Sequence, residues 1–133
     1  MINMKININK DAQSTLTLKS ICIDKFNFNR LGVQRAGAEL NVKFLAQDLY
    51  NQEKEELTIN LISNLKCDEM FDLNVEVVGV FGVSEKDFEQ LKPNAVAIMF
   101  PFLRSQISLL TTQPDMIPVV LPAININKLL KTE

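Results

Sequence analysis

Polar and apolar residues alternate with a period of two in three successive stretches of the chain. Ala38, Leu40, Val42, Phe44 and Ala46 share one parity, and Glu39, Asn41, Lys43 and Gln47 the other. Leu57, Ile59, Leu61, Leu65 and Cys67 then oppose Thr58, Asn60, Asn64 and Lys66, and Phe71, Leu73, Val75, Val77 and Phe81 oppose Asp72, Asn74 and Glu76. Successive side chains of a strand point to opposite faces, so each stretch reads as an antiparallel strand with one face on a core and one on solvent. Polar breaks at 51–54 and 66–70 join the three into a meander. Residues 15–29 are also strand-like, but their apolar positions change parity, from Leu16, Leu18, Cys22, Phe26 and Phe28 to Ile21 and Ile23. That change predicts a bulge, or a strand covered on both faces. Residues 30–37, with two glycines, then form a crossover loop.

After Phe81 the pattern turns helical. Ser84-Glu85-Lys86-Asp87 has the capping-box spacing, with Phe88 and Leu91 as the apolar contacts of a short helix that ends at Lys92-Pro93. Residues 93–114 carry one charge, Arg104, and predict a long helix capped by Asn94, with a kink or a late start at Pro101. So uncharged a helix must be hidden nearly all round. Asn94, Ser105, Gln106, Ser108 and Thr111 interrupt it well short of a membrane span. A four-stranded sheet covers only one side, so the side bearing Ile98, Phe102 and Leu109 is expected to meet another subunit. Pro118 and Pro122 then hold an extended apolar loop, and Asn125 caps a short amphipathic helix with Ile126, Leu129 and Leu130. The loop residues Met116, Ile117, Val119, Val120 and Leu121 are expected to cover a core or to wall a groove. Together these elements predict an α+β fold: a four-stranded antiparallel sheet with a long C-terminal helix and a short lid helix, in a single domain over residues 1–133.

Composition narrows the chemistry. With 133 residues and 47% of them apolar, the chain can close a core without disulfides or metal. It has no histidine, which removes the usual general base near neutral pH and the commonest metal ligand. Cys22 and Cys67 are far apart in sequence and lie in apolar stretches, so each is expected to be a buried, reduced thiol. Fourteen basic residues against sixteen acidic ones leave a net charge of -2, which argues against nucleic-acid binding. Residues 1–11, MINMKININKD, have no continuous apolar run, so no secretory signal is read there and a cytoplasmic location is expected. Gly32 and Gly37 have the opening spacing of a phosphate loop, but Ala38-Glu39 stands where Lys and Ser or Thr are needed. The acidic groups Glu53, Glu55, Glu56 and Glu85, Asp87, Glu89 fall in a turn and a first helical turn rather than in a catalytic pair. No enzyme, cofactor or metal is expected.

Four motifs carry a likeness from Gly79 onward: Gly79-Val80-Phe81, Pro93-Asn94, Ile98-Met99-Phe100-Pro101-Phe102-Leu103-Arg104 and Leu121-Pro122-Ala123-Ile124-Asn125-Ile126, with no gap needed between the last two. In these the chain resembles the SecB family of bacterial export chaperones. The resemblance implies a dimer of dimers with its long helices buried between the dimers. It implies a holdase without ATPase activity that keeps unfolded precursor proteins export-competent and passes them to the SecA motor. It also implies a client groove with Met116, Ile117, Val119 and Leu121 on the loop and Ile126, Leu129 and Leu130 on the lid helix. Phe26, Phe28, Leu31 and Val33 would form its opposite wall. The family docks its motor on an acidic outer sheet surface, for which Asp68, Glu69, Asp72 and Glu76 are the candidates. Asn74 stands where a further acid belongs, and the chain runs only to Lys131-Thr132-Glu133 after the lid helix. Those departures leave room for two alternatives: a family chaperone dedicated to one antitoxin of a toxin–antitoxin pair, or an adaptor oligomer whose apolar loop is sealed.

Overall fold

A computed structural model of the chain describes residues 4, 5, 7, 15–33 and 36–131. Apart from residues 4, 5 and 7, the segment read above as lacking an export signal lies outside them, as do Thr132 and Glu133. The elements follow in the order β1 (Thr17–Arg30), β2 (Leu40–Asn51), β3 (Glu56–Cys67), β4 (Phe71–Gly82), α1 (Phe88–Leu110) and α2 (Ile126–Lys131). The four strands form one antiparallel sheet in the order β1-β4-β3-β2. The three alternating stretches are the meander β2-β3-β4, and the crossover carries the chain from β1 to the far edge.

The parity change in β1 has the predicted cause. Its register against β4 shifts between Leu18 and Ser20 and again between Ile23 and Lys25, so Lys19 and Asp24 are the extra residues of two bulges. Each bulge restores the apolar side to the core face: Leu18, Ile21, Ile23, Phe26 and Phe28 pair with Phe81, Gly79, Val77, Val75 and Leu73, which all lie on that face. The same shifts leave Cys22 on the opposite, solvent face, so it is exposed and only Cys67 is buried. That corrects the expectation for Cys22, which rested on its place in an apolar stretch.

One face of the sheet, with Leu57, Ile59, Leu61 and Leu65 from β3 and Leu73, Val75, Val77 and Phe81 from β4, packs under α1. The helix contributes Ala95, Val96, Met99, Phe100, Leu103 and Ile107, a stripe with helical spacing. Phe100 meets Phe44 edge to face at 5.6 Å. Burying a leucine such as Leu103 contributes about 1.5–3 kcal/mol.

The helix corrects the expected break at Lys92-Pro93. One continuous α1 includes both Pro93 and Pro101, and Asn94 is an exposed residue within it rather than a cap. Each proline removes one intrahelical donor. The carbonyls they would have paired, those of Glu89 and Ala97, belong to exposed residues, so the loss falls on the solvent side and not in the core. Tertiary contacts hold the first turns: Phe88 stacks on Tyr50 at 4.0 Å, and Lys92 pairs with Asp48 at 2.9 Å and Glu89 at 3.0 Å. The capping box is displaced in the same way. Ser84 Oγ donates to Asp87 Oδ2, and the helix begins one turn later, at Phe88. Asn125 does cap α2, its Oδ1 accepting from the Lys128 N–H at 3.0 Å.

Partial burial alone would lower the pKa of Lys92. The hydrogen bonds and charges of Asp48 and Glu89 outweigh it and hold the ammonium above its ordinary 10.5. A raised folded-state pKa means that the stabilisation is complete below the unfolded value and is lost as pH rises through the folded one. Asp48→Asn should therefore lower stability at pH 7 by about 0.5–1 kcal/mol, allowing for the partial exposure of both groups. The difference from the parent in urea denaturation should shrink as the pH is raised past the ordinary lysine value. An unchanged midpoint at pH 7 would remove this pair from the anchoring of α1.

Candidate functional site: an apolar cleft system beside the crossover and the helix-connecting loop

Residues 112–125 run without regular secondary structure, and side chains of α1 and of its C-cap Thr111 hold much of this loop by hydrogen bonds. Ser108 Oγ donates to the Val119 carbonyl, Thr111 Oγ1 accepts from the Val119 N–H at 2.8 Å, and Arg104 Nη2 donates to the Pro122 carbonyl. Arg104, Ser108 and Thr111 lie on successive turns of one helical face, so the helix acts as a rail for the loop. The Arg104 guanidinium sits over the Phe100 ring at 5.0 Å. At the other end, Arg30 Nη2 donates to the Pro114 carbonyl at 2.6 Å, and the N–H groups of Leu31 and Gly32 donate to the Met70 carbonyl. These bonds hold the crossover and the loop on either side of a cleft.

That cleft, about 690 Å³, is lined by Leu31, Val33, Met116 and Ile117 together with Arg30 and Asp115. Leu31 is 55% exposed, Val33 87% and Ile117 59%, which is high for aliphatic side chains on a domain with a closed core. Ile117 also lines a second cleft of about 320 Å³, with Val119, Val120, Leu40 and Phe71. A third, about 300 Å³, lies between Phe44 of β2 and Ile124, Lys128 and Leu129 at the lid helix.

The structure thus brings Leu31, Val33, Met116, Ile117 and Val119 together and distributes the other expected groove residues elsewhere. Phe28 stacks on Phe71 at 5.8 Å and is part of the core packing. Leu121 and Leu129 are buried at 6% and 8%, because the loop folds back on α1 there; Leu129 reaches a cleft only by its edge. Phe26 lies at a different cleft, with Lys25, Ile62 and Glu76, in the middle of β1 and apart from the loop residues. Ile126 faces a cleft with Leu16, Pro93 and Ile98, and Leu130 packs against the core. Residues of β2 complete the wall that the sequence reading placed on β1. Leu40 and Phe44 were visible as part of an alternating stretch, but nothing local distinguishes a strand at the sheet edge from one inside it.

The four candidate acids lie at or near the outer face. Asp72 and Glu76 are on β4, and Asp68 and Glu69 are in the β3–β4 turn. Lysines match them: Lys66 stands opposite Asp72 and Lys25 opposite Glu76, which also accepts from Asn60 Nδ2 at 3.1 Å. Asp68 accepts from the Glu39 N–H at 3.4 Å. Further along the same face, Lys19 reaches Glu56 at 2.8 Å, and that bond, aided by the lysine's charge and offset in part by burial, lowers the Glu56 pKa. The outer face is therefore mixed in charge rather than acidic. Ile98, Phe102 and Leu109 lie on the side of α1 turned away from the sheet, exposed at 37%, 47% and 66%. No helix among the described residues is long and apolar enough to cross a membrane, and no three metal-ligating side chains cluster among them.

An uncharacterized protein of Methanocaldococcus jannaschii is 31% identical over 113 residues, covering 77% of this chain and 72% of its own. Among solved structures, the SecB-like chaperone Rv1957 of Mycobacterium tuberculosis, in complex with a ChAD peptide from the HigA1 antitoxin, superposes with a TM-score of 0.73. The two are 10% identical over 83% of this chain and 91% of that one, a likeness of fold. The family model described as preprotein translocase subunit SecB matches residues 9–133, so the sheet order, the helix rail and the apolar loop all fall within the match, and the chain belongs to the SecB family.

Proposed function

We propose that this chain is an ATP-independent chaperone that holds unfolded protein segments in the clefts between crossover, helix-connecting loop and β2. The observation that carries the reading is the exposure of Leu31, Val33 and Ile117 together around one cleft, on a domain that has a closed core of its own. A site lined by aliphatic side chains, with few directional polar groups, binds by area and tolerates varied sequences, as a holding function needs. Membership of the SecB family supports the same reading.

Between export and a dedicated client, the outer face favours the latter. Delivery to the SecA motor calls for an acidic surface, and here Lys25 and Lys66 on the flanking strands β1 and β3 offset the carboxylates of β4. The fold relative bound to an antitoxin peptide is consistent with a dedicated client. A cytoplasmic location and a homotetramer belong to the same proposal.

The test is suppression of aggregation. A chemically unfolded model client diluted into near-stoichiometric tetramer should stay soluble. Val33→Glu combined with Ile117→Glu should cost the protein about tenfold or more of that capacity while leaving its melting temperature within a few degrees, because both side chains are already in solvent. Undiminished suppression by this variant would move the holding site elsewhere, and no suppression by the parent protein would end the proposal.

A further inference from the structure

A further alternating stretch lies ahead of β1. Ile2, Met4, Ile6 and Ile8 share one parity, and Asn3, Lys5, Asn7 and Asn9 the other. The interleaving that speaks against a secretory signal is therefore itself a pattern, that of an extended segment with one apolar face. Met4 is the one apolar residue of the stretch among those described, and it is 79% exposed. Four apolar residues on one face call for a surface to lie on. Such a surface is present where the stretch joins the fold. Leu16, the residue before β1, borders a cleft of about 420 Å³ together with Ala97 and Ile98 of α1 and Ile126 of the lid helix, and the exposed Asn94 and Asn127 add polar groups to its lining. None of residues 31–33 and 116–119, around the holding clefts, borders it. Residues 9–15, which link the stretch to Leu16, are polar except for Ala12. They extend to at most about 23 Å, enough to leave Leu16 and double back over the cleft.

We propose that residues 2–8 are an intramolecular arm that docks in this cleft, apolar face inward, and braces α2 against α1. The inference is independent of the holding function proposed above. α2 has six residues, too few to persist as a helix by itself, so its order depends on what packs against Ile126. The tether favours the chain's own arm over any free segment of the same chemistry. A short linker gives an effective concentration of the order of 1 mM, so a segment that binds with a Kd of only about 0.1 mM is docked about ten to one. The arm covers the Ile98 end of the outward stripe of α1 and leaves Phe102 and Leu109, about one and three turns further along, for another subunit. A partner or client that displaces the arm frees the lid helix, which makes the N-terminal segment a control on the lid.

The test is amide hydrogen exchange of the full chain, read by mass spectrometry. Ile6→Asn combined with Ile8→Asn should speed exchange at residues 126–131 about tenfold and leave β3 and β4 unchanged. Asn3→Ser combined with Asn7→Ser, on the other parity, should change neither. A peptide of residues 1–10, added at about 1 mM to the apolar-parity variant, should restore slow exchange, which separates docking from damage to the fold. Unchanged exchange at 126–131, equal effects of the two parities, or no recovery with the peptide would overturn the arm. Faster exchange at 31–33 and 116–119 instead would place the segment in the holding clefts and overturn this site. Protection at 126–131 that disappears when the parent is diluted until its assembly dissociates would give the cleft to a second copy and likewise overturn it.

Discussion

Gly79→Val should leave little folded protein, and Gly79→Ala should lower stability by about 1–3 kcal/mol. Gly79 lies on the core face of β4, where α1 crosses the sheet, and a Cβ there would stand 2.8 Å from Met99 Sδ and 2.9 Å from Phe81 Cε1. A methionine on a surface would swing aside. Met99 is fully buried, as is Phe81, and the neighbours that would have to yield are core residues too. A single methyl therefore has to lift α1 locally, and the branched side chain of valine has to lift it further. Since α1 and its C-cap carry Arg104, Ser108 and Thr111, which hold the loop, displacement of the helix should disturb the clefts as well as the core. Urea denaturation of the alanine variant gives the stability loss, and soluble yield with circular dichroism reports on the valine variant. A wild-type midpoint for Gly79→Val would mean that the helix does not approach the sheet this closely.

Gly79 also marks where the sequence was informative and where it was not. Strands β2, β3 and β4 were legible because a half-buried strand writes its two environments into alternate residues, and tertiary structure preserved that alternation from Leu40 to Phe81. The parity change in β1 was readable as a bulge, but its consequence for Cys22 and Phe26 was not, because two bulges five residues apart act together and only the β4 register locates them. The helix boundary at Lys92-Pro93 failed for a related reason. Proline is a local signal, and the Tyr50–Phe88 stack and the Asp48–Lys92 pair that override it come from a strand some forty residues away. The apolar loop announced itself by composition at Met116, Ile117 and Val119. Which of its residues turn inward depends on hydrogen bonds to α1, and so Leu121 could not be separated in advance from Ile117. The wall formed by Leu40 and Phe44 needed the strand order, since an edge strand and a central strand have the same alternation.

Phe102→Asp should split the proposed tetramer without unfolding the subunit. α1 packs mainly on β4 and β3 and turns Ile98, Phe102 and Leu109 away from them, so the stripe stays 37–66% exposed in the single chain. Leu18 and Phe26, on the core face of β1, are 43% and 57% exposed, because the helix does not extend over that edge. Both sets lie on the helix side of the sheet, where a second subunit could cover them together. An aromatic ring at the centre of such a contact contributes about 2–4 kcal/mol. A carboxylate in its place adds the cost of desolvating a charge. The variant's association should be weaker by at least about a hundredfold, enough to move the species seen by light scattering at micromolar concentration from tetramer to dimer. Its melting temperature at high dilution should match that of the similarly dissociated parent, because Phe102 is nearly half exposed in the single chain. The mass decides the matter: a Phe102→Asp protein that elutes and scatters as the parent does would show this face of α1 to be free in the assembly.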